Sequence, residues 1–281
     1  MESQRKHPRA FSFEFFPPRT EQGIEKLRAT WRQLAQLKPR FFSVTYGAGG
    51  TTRERTLGTV LEIREAGYEA APHISCVGSS RADIAATIEL YRSKGIRHIV
   101  ALRGDVPSGT ASPGELRYAS ELVAFIRERT GDHFRIDVAC YPEFHPQARS
   151  PQDDVLNLRR KIDAGANTAI TQYFYNADGY FRFIDECEAL GIEVPIVPGI
   201  MPIGNFVQLA RFSDACGAEM PRWLRQKLAS FGDDLASIRS YGLDVVTDLC
   251  DRLLSAGAPG LHFYTMNQAG LTSIIWQRLG L

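Results

Sequence analysis

Residues 11–20 read Phe-Ser-Phe-Glu-Phe-Phe-Pro-Pro-Arg-Thr, and this stretch sets the expectation for the whole chain. An aromatic-rich run this short predicts a buried β-strand, which Pro17 and Pro18 end because proline cannot donate to a β-ladder. Glu14 lies inside the strand, where a carboxylate is costly to bury unless it is paired, neutralised or used in chemistry. An ion pair or a wet cavity is the ordinary interpretation of a single carboxylate. The residues at the ends of the other strands therefore decide whether Glu14 belongs to a functional site.

Strands and helices alternate along the rest of the chain. Further strands are predicted at residues 41–45, 70–75, 98–103, 136–141, 168–174, 194–200 and 261–266. Helices are predicted at residues 21–37, 53–65, 81–94, 115–129, 151–164, 180–190, 205–212 and 269–279, with an extra helical segment at 221–255 that is broken near Gly232 and Gly242. Alternation predicts a parallel sheet, and eight such units in this length predict a (β/α)8 TIM barrel, an α/β fold with eight parallel strands.

A single catalytic domain, residues 1–281, is expected because no linker rich in Pro, Gly or Ser separates two halves. The alternative is a doubly wound open sheet, which would usually carry G-x-G-x-x-G after its first strand, whereas this first strand ends in Pro-Pro. Gly47-Ala48-Gly49 lacks the third glycine, so it is a weak dinucleotide signal and is more typical of a tight turn.

Composition narrows the function classes. The 281 residues are 44% hydrophobic and 23% charged with a net charge of +1, which is typical of a soluble globular protein. No basic block predicts a nucleic-acid or membrane partner, no apolar run is long enough to span a bilayer, and the polar residues 1–9 do not form a signal peptide. The five cysteines lack a C-x-x-C, which is typical of reduced thiols in a cytoplasmic protein rather than of a disulfide frame or a zinc site.

Polar side chains recur at the predicted carboxyl ends of the strands, where barrels place their chemistry. They are Glu14, Thr45, Tyr46, His73, Arg103, Asp105, Tyr141, Glu143, His145, Thr171, Gln172, His262, Tyr264, Thr265 and Asn267. Any one of them could be a satisfied buried polar group, but so many at one mouth predict a site.

Three chemistries can be weighed on this set. Schiff-base chemistry needs a lysine in the barrel, and none of the six lysines lies on a predicted strand. A metal-dependent hydrolase is the alternative enzyme, with ligands among His73, His145, His262 and Asp105, although no H-x-H or H-x-x-E-H spacing concentrates them. Cofactor binding with one acid fits best and needs no metal, because burial of Glu14 among phenylalanines is expected to raise its pKa towards neutrality.

One predicted helix supports a phosphate-bearing cofactor. Asp154, Asn157 and Lys161 stand at i, i+3 and i+7 and so share one face, which Arg160 flanks. Neither Asp154 nor Asp153 is three or four residues from these cations, so simple helix ion pairs do not explain the set. Cations and amides near the mouth would suit a diphosphate or a ribityl chain.

Together these motifs resemble the methylenetetrahydrofolate reductase family, in its bacterial single-domain form, over residues 11–279. The resemblance rests on Ser-Phe-Glu-Phe-Phe-Pro-Pro-Arg from Ser12, Val-Thr-Tyr-Gly-Ala from Val44, Ala-Pro-His from Ala71, His-Ile-Val-Ala-Leu-Arg-Gly-Asp from His98, Tyr-Pro-Glu-Phe-His-Pro from Tyr141, residues 154–167, Ala-Ile-Thr-Gln from Ala169, Pro-Gly-Ile from Pro198 and His-Phe-Tyr-Thr from His262. It implies an FAD-containing barrel that reduces 5,10-methylenetetrahydrofolate to 5-methyltetrahydrofolate, with hydride passing from NADH or NADPH through the flavin by a ping-pong sequence.

The resemblance also implies roles for single residues. Glu14 would be the general acid that opens the methylene bridge, and Asp105 would lie near the flavin and the folate ring. FAD would be held by Tyr46, Ala48, His73, Arg103, Gly104, Asp105, Tyr118, Ala119, Tyr141, His145, Ala148, Asp154, Asn157, Arg160 and Lys161. Folate would be held by Gln172 and Gln208, with Thr45 and Phe212 helping to bind the folate or the nicotinamide.

Gln268 departs from the family, which usually carries Arg at this position, so the grip on the folate's glutamate tail is expected to be weaker. The resemblance further implies a place in one-carbon metabolism and methionine biosynthesis, a homo-oligomer, and a chain without the regulatory domain of eukaryotic relatives. A barrel that only sequesters a folate is the competing class. The joint presence of Glu14, Asp105 and Gln172 favours the enzyme.

Overall fold

The computed structural model describes residues 1–46, 50–104 and 114–281, with the side chains of residues 50–52 left out. Its strands are β1 (Ala10–Phe15), β2 (Phe41–Val44), β3 (Ala70–Ser75), β4 (His98–Leu102), β5 (Arg135–Cys140), β6 (Thr168–Thr171), β7 (Ile196–Val197), β8 (Gly199–Ile200) and β9 (Gly260–Tyr264). Its helices are α1 (Glu2–Arg5), α2 (Glu21–Ala35), α3 (Gly50–Glu65), α4 (Arg81–Ser93), α5 (Ala119–Thr130), α6 (Pro151–Asp163), α7 (Ala177–Ala189), α8 (Phe206–Cys216), α9 (Arg222–Ser230), α10 (Leu235–Ala256) and α11 (Gly270–Arg278). Helix and strand alternate as the sequence predicts.

All strand pairs are parallel, and the sheet runs in the order β7-β6-β5-β4-β3-β2-β1-β9-β8. The two ends of this order, β7 and β8, are separated along the chain only by Pro198, so they are the two halves of the predicted seventh strand. Proline has no N–H for the ladder, and the chain shifts there from pairing with β6 to pairing with β9. The predicted TIM barrel is therefore confirmed, with its seventh strand split in two.

Alternation along β1 divides its side chains between two environments. Phe13 and Phe15 point out of the barrel, where Phe13 packs at 5.7 Å between ring centroids against Trp276 of α11. Ser12 and Glu14 point into the barrel and contact His262 of β9. Phe13 and Phe15 are therefore buried between β1 and the helices, and Glu14 faces the inside of the barrel.

The inside of the barrel holds little apolar packing. Phe41, Ala71, Val100 and Ile170 form a small cluster there, separate from the large core between strands and helices. Several other buried interior positions carry polar side chains, namely Ser12, Ser43, His73, His98, Asp137, Thr168 and His262. The interior is thus built for hydrogen bonding as much as for packing.

The segment predicted at residues 221–255 is two helices, α9 and α10, with Gly232 at φ +53° in the turn between them. The predicted break at Gly242 is wrong, because α10 runs through it without interruption. A Cβ at Gly242 would lie 2.6 Å from the Cβ of Ile203, so this glycine permits close packing of the helix. None of the described helices is long and apolar enough to cross a membrane.

Candidate active site

A cavity of about 1410 Å³ opens at the carboxyl ends of the strands. Most of the predicted site residues line it, namely Glu14, Thr45, Tyr46, His73, Arg103, Gly104, Tyr118, Ala119, Tyr141, His145, Ala148, Asp154, Asn157, Lys161, Gln172 and Phe212. In the described structure Arg160, Gln208 and Gln268 do not line it, and all three are exposed. Ala48 and Asp105 lie outside the described residues.

Glu14 is the centre of a cluster formed by four strands, since the three side chains that approach its Oε2 atom come from β2, β3 and β9. The Nε2 atoms of His73 and His262 lie 3.2 and 3.3 Å from it, and the Ser43 hydroxyl donates to it at 3.3 Å. Behind His262, the Ser12 hydroxyl is 2.7 Å from Nδ1. The carboxylate is therefore held between two imidazoles.

The expectation that Glu14 has a raised pKa is wrong. Burial by itself does raise the pKa of Glu14, but the charge of His73 and the hydrogen bond from His262 outweigh burial and lower the pKa to about 2. The phenylalanines that flank Glu14 in β1 predict a raised pKa, but their side chains point to the other side of the strand. Ser12, Ser43 and the pairing of Glu14 with two histidines were missed, although Ser12 stands two positions before Glu14 and so shares its face.

Helix α6 brings its polar face to the cavity as predicted. The Ser150 side chain caps it by accepting from the N–H of Asp153 at 3.1 Å, and Pro151 occupies its first turn. Lys161 donates to the carbonyl oxygen of Ala139 at 2.5 Å, and burial lowers the pKa of its ammonium group. This lysine therefore lies against the barrel wall and lines the cavity.

The other charged groups of α6 lie differently. The Asp154 carboxylate accepts from the backbone N–H of His145 at 2.8 Å, which joins the helix to the loop after β5. Burial raises the pKa of Asp154. Arg160 turns outward and donates to the Asn157 side chain, and its Nη1 lies 3.7 Å from Asp153 Oδ1. Arg160 therefore pairs on the helix surface and does not face the cavity.

Gly104 lies where β4 gives way to the loop beside the cavity. Its φ is +86°, and a Cβ there would lie only 2.0 Å from the Ser75 hydroxyl. Ser75 donates to the carbonyl oxygen of Arg103 at 2.8 Å, which fixes the start of this loop against β3. Only glycine fits this approach, so the position of Arg103 at the cavity depends on it.

Helix α8 forms one wall and contributes Phe212 to the cavity. Its far end is tied down at Ser213, whose hydroxyl lies 3.1 Å from that of Tyr173. Just beyond the helix, the N–H of Glu219 donates to the Glu143 carboxylate at 2.6 Å. Burial raises the pKa of Glu143 to about 7, so this carboxylate differs from Glu14 in the direction of its shift.

The metal-hydrolase alternative gains nothing from the geometry. No group of three or more His, Cys, Asp or Glu side chains with metal-holding geometry occurs in the part of the chain that the structure describes. His73 and His262 face Glu14, whereas His145 contacts the Tyr141 ring at 4.7 Å between centroids. The fourth residue of that alternative, Asp105, lies outside the described residues.

Known proteins match this chain over nearly its whole length. The family model for methylenetetrahydrofolate reductase matches residues 1–280. The 5,10-methylenetetrahydrofolate reductase of Escherichia coli (strain K12) is 43% identical over 271 residues, which cover 96% of this chain and 90% of that protein. Methylenetetrahydrofolate reductase (NADH) 1 of Arabidopsis thaliana is 37% identical over 286 residues, which cover 97% of this chain and 48% of the plant protein.

A solved structure shows the same fold at low sequence identity. It is described as an uncharacterized protein from Clostridium thermocellum that binds two copies of 5-methyl-5,6,7,8-tetrahydrofolic acid. It matches with a TM-score of 0.68 at 16% identity and covers 99% of this chain and 97% of that one. On the family model and the sequence identities, the chain belongs to the methylenetetrahydrofolate reductase family.

Proposed function

We propose that the chain reduces 5,10-methylenetetrahydrofolate to 5-methyltetrahydrofolate, with FAD as its cofactor and NADH or NADPH as hydride donor. The observation that carries the proposal is the Glu14 carboxylate, held by two histidines on the wall of a cavity of about 1410 Å³. That volume exceeds the roughly 300–1,000 Å³ of common small-molecule sites, which suits a cofactor and a substrate held together. Membership of the family supports the same reaction.

The residues on one side of the cavity fit a flavin dinucleotide. Lys161, Arg103 and Asn157 offer donors for phosphate and ribityl oxygens, and Asp154 offers an acceptor for hydroxyl groups. The His73 ring is buried, and its Nε2 has no hydrogen bond within the described residues, although Glu14 lies at 3.2 Å. Buried polar atoms without a hydrogen bond are rare in native proteins, so this atom favours a ligand group that completes the site.

The chain's own contribution is orientation and a proton. FAD, when bound, would take a hydride from the nicotinamide and deliver it to the folate. Opening the methylene bridge needs a proton on the leaving nitrogen and produces an iminium carbon that can accept the hydride. The Nε2 atoms of His73 and His262 both lie within 3.3 Å of the Glu14 carboxylate, so we assign the acid to this cluster jointly. With Nε2 of His262 directed at Glu14, its Nδ1 accepts from Ser12, which fixes the ring.

The nicotinamide and the folate would use the same open side of the cavity in turn, which is the ping-pong sequence. The name of the Arabidopsis relative supports NADH as donor. Gln172 lines the cavity and would hold the folate ring, while Gln208 and Gln268, which are exposed and do not line the cavity, would reach only outer parts of the folate. We also propose a single catalytic domain from the absence of a linker, a cytoplasmic location from the cysteine pattern, and a homo-oligomer from the family resemblance.

Purified protein tests the cofactor and the chemistry together. We expect flavin absorption bands that bleach under anaerobic conditions with NADH or NADPH and return when 5,10-methylenetetrahydrofolate is added. A barrel that only sequesters folate would bind the reduced folate without bleaching or recovery of the bands. A colourless protein that cannot be reconstituted with FAD would overturn the proposal, and a stoichiometric metal ion would favour the hydrolase alternative.

A further inference from the structure

The turn that follows β9 has an uncommon backbone. Met266 and Asn267 have φ values of +52° and +54°, in the left-handed region that residues with a Cβ seldom adopt, methionine less readily than asparagine. Conformations of this kind persist only where surrounding contacts over-determine them, and they cluster at functional sites. Met266 lines the cavity together with Glu14, so the turn borders the candidate site.

The contacts of this turn converge on the end of β1. The Asn267 side chain accepts from the N–H of Phe16 at 3.1 Å and donates to the carbonyl oxygen of Phe16 at 2.8 Å. The two bonds satisfy both backbone groups of Phe16, which in a parallel ladder would need two residues of the neighbouring strand. Regular pairing of β1 with β9 ends at Glu14 and Tyr264, so the amide of Asn267 extends the ladder beyond the catalytic position.

Glu14 itself is held by the same turn. The Thr265 hydroxyl donates to the Glu14 carbonyl oxygen at 2.7 Å, and it also accepts from the N–H of Asn267 at 3.2 Å. On the other edge of β1, the N–H of Thr45 donates to the Phe15 carbonyl oxygen at 2.8 Å. The backbone around Glu14 is thus fixed from both sides up to the point where Pro17 takes the chain out of the sheet.

We propose that Asn267 is a positioning residue for the Glu14 carboxylate, and that the left-handed turn places its amide against Phe16. The proposal rests on the proposed function, because placement of Glu14 affects rate only if its cluster protonates the folate. Both contacts of the Asn267 amide are to the backbone of one residue, Phe16, two positions beyond Glu14. Loss of the amide would free this end of the strand, and a displacement of about 1 Å at reacting groups can lower a rate on the order of 100-fold.

Two variants and one control separate positioning from folding. Asn267→Gly keeps the left-handed backbone and removes the amide, whereas Asn267→Asp keeps an acceptor for the Phe16 N–H and loses the donor. Asn176→Gly is the matched control, because the Asn176 side chain also accepts from a backbone N–H, that of Asp178 at 3.0 Å, but at the start of α7. In anaerobic half-reactions, both Asn267 variants should slow folate-dependent flavin reoxidation about 10- to 100-fold and leave NADH-dependent flavin reduction within about two-fold. The control should change neither half-reaction.

NMR spectra of protein with isotope-labelled histidines give a readout that does not depend on turnover. The pH titrations of the His73 and His262 imidazole signals, assigned with His73→Gln and His262→Gln, should shift in both Asn267 variants and stay constant in Asn176→Gly. Imidazole titrations that stay unchanged in both Asn267 variants would overturn the proposal, whatever happens to the two half-reactions. If the wild-type protein carries out neither half-reaction, the proposed function fails, while the titration still decides whether Asn267 positions Glu14.

Discussion

Two histidine–carboxylate clusters lie at different depths inside the same barrel. In the lower cluster, His98 and Asp137 come from the amino-terminal halves of β4 and β5 and are 6% and 1% exposed. In the upper cluster, Glu14 is 17% exposed and faces the cavity between His73 and His262. A single ring lies between them, since the centroid of Phe41 is 4.3 Å from that of His98 and 6.2 Å from that of His262.

The two carboxylates have similar electrostatics. His98 Nε2 lies 2.8 Å from Asp137 Oδ2, while Oδ1 has no hydrogen bond within the described residues and only Arg135 Nε at 3.5 Å. Burial raises the pKa of Asp137, but the charges of His98 and Arg135 outweigh it and the pKa lies below its ordinary range. Glu14 shows the same balance. What differs is access, and in barrels the amino-terminal end serves stability while the carboxyl end serves chemistry.

The largest expected effect comes from a substitution that breaks the upper cluster. Glu14→Gln keeps the shape of the side chain but removes its charge and its part in the shared proton. Since loss of a general acid typically costs about 10²–10⁴-fold, the folate half-reaction should slow by that factor while NADH-dependent flavin reduction stays largely intact. Anaerobic stopped-flow absorbance at the flavin bands measures both steps. Equal slowing of the two steps, or an unchanged folate step, would contradict the assignment of the acid.

Breaking the lower cluster should instead affect folding. Asp137→Asn leaves the buried His98 without its carboxylate, and removal of one partner from a buried ion pair destabilises by about 3–5 kcal/mol. Urea unfolding at equal flavin content measures this, with exposed Asp132→Asn as a control that should stay within about 0.5 kcal/mol. The ratio of the two half-reaction rates should not change. A selective loss of the folate step in Asp137→Asn would mean that the clusters are functionally joined through Phe41.

Much of the fold could be predicted because helix and strand periods differ along the chain. The exceptions have local physical causes. The seventh strand splits at Pro198, which was included in the predicted strand although it cannot donate to the ladder. Gly242 was interpreted as a helix break, but whether a glycine bends a helix or lets it pack closely depends on the partner, here Ile203, which lies 39 residues earlier in the sequence.

The site could be predicted as a set of strand ends but not as a set of contacts. His73 and His262 were both identified at the mouth, yet nothing in their spacing shows that both reach one oxygen of Glu14. That contact depends on barrel closure, which pairs β1 with β9 across 250 residues between Ser12 and His262. For the same reason the predicted sign of the Glu14 pKa shift is wrong, since the neighbours in sequence are apolar and the neighbours in space are two imidazoles that lower the pKa. The roles assigned to all the site residues, Asp105, Gln208 and Gln268 among them, stay predictions.

A third carboxylate sharpens the comparison, because Glu143 is partly buried and the contact found for it in the described structure is a backbone N–H rather than an imidazole. Burial therefore prevails and raises the pKa of Glu143 from 4.5 to about 7. A raised folded-state pKa means that the stability contributed by Glu143 is fully present below about pH 4.5 and is lost as the pH rises through about 7.

Glu143→Gln keeps an oxygen for the Glu219 N–H and carries no charge, so the variant should gain in melting temperature relative to wild type between pH 5 and pH 8. Solvent screening at this partly exposed site limits the gain to roughly 2 °C. Thermal melts at the two pH values measure it, with exposed Glu128→Gln on α5 as a control whose difference from wild type should not change. A gain that is equal at both pH values, or larger at pH 5, would show that Glu143 is ionised throughout, and that a carboxylate here does not need an imidazole to keep its charge.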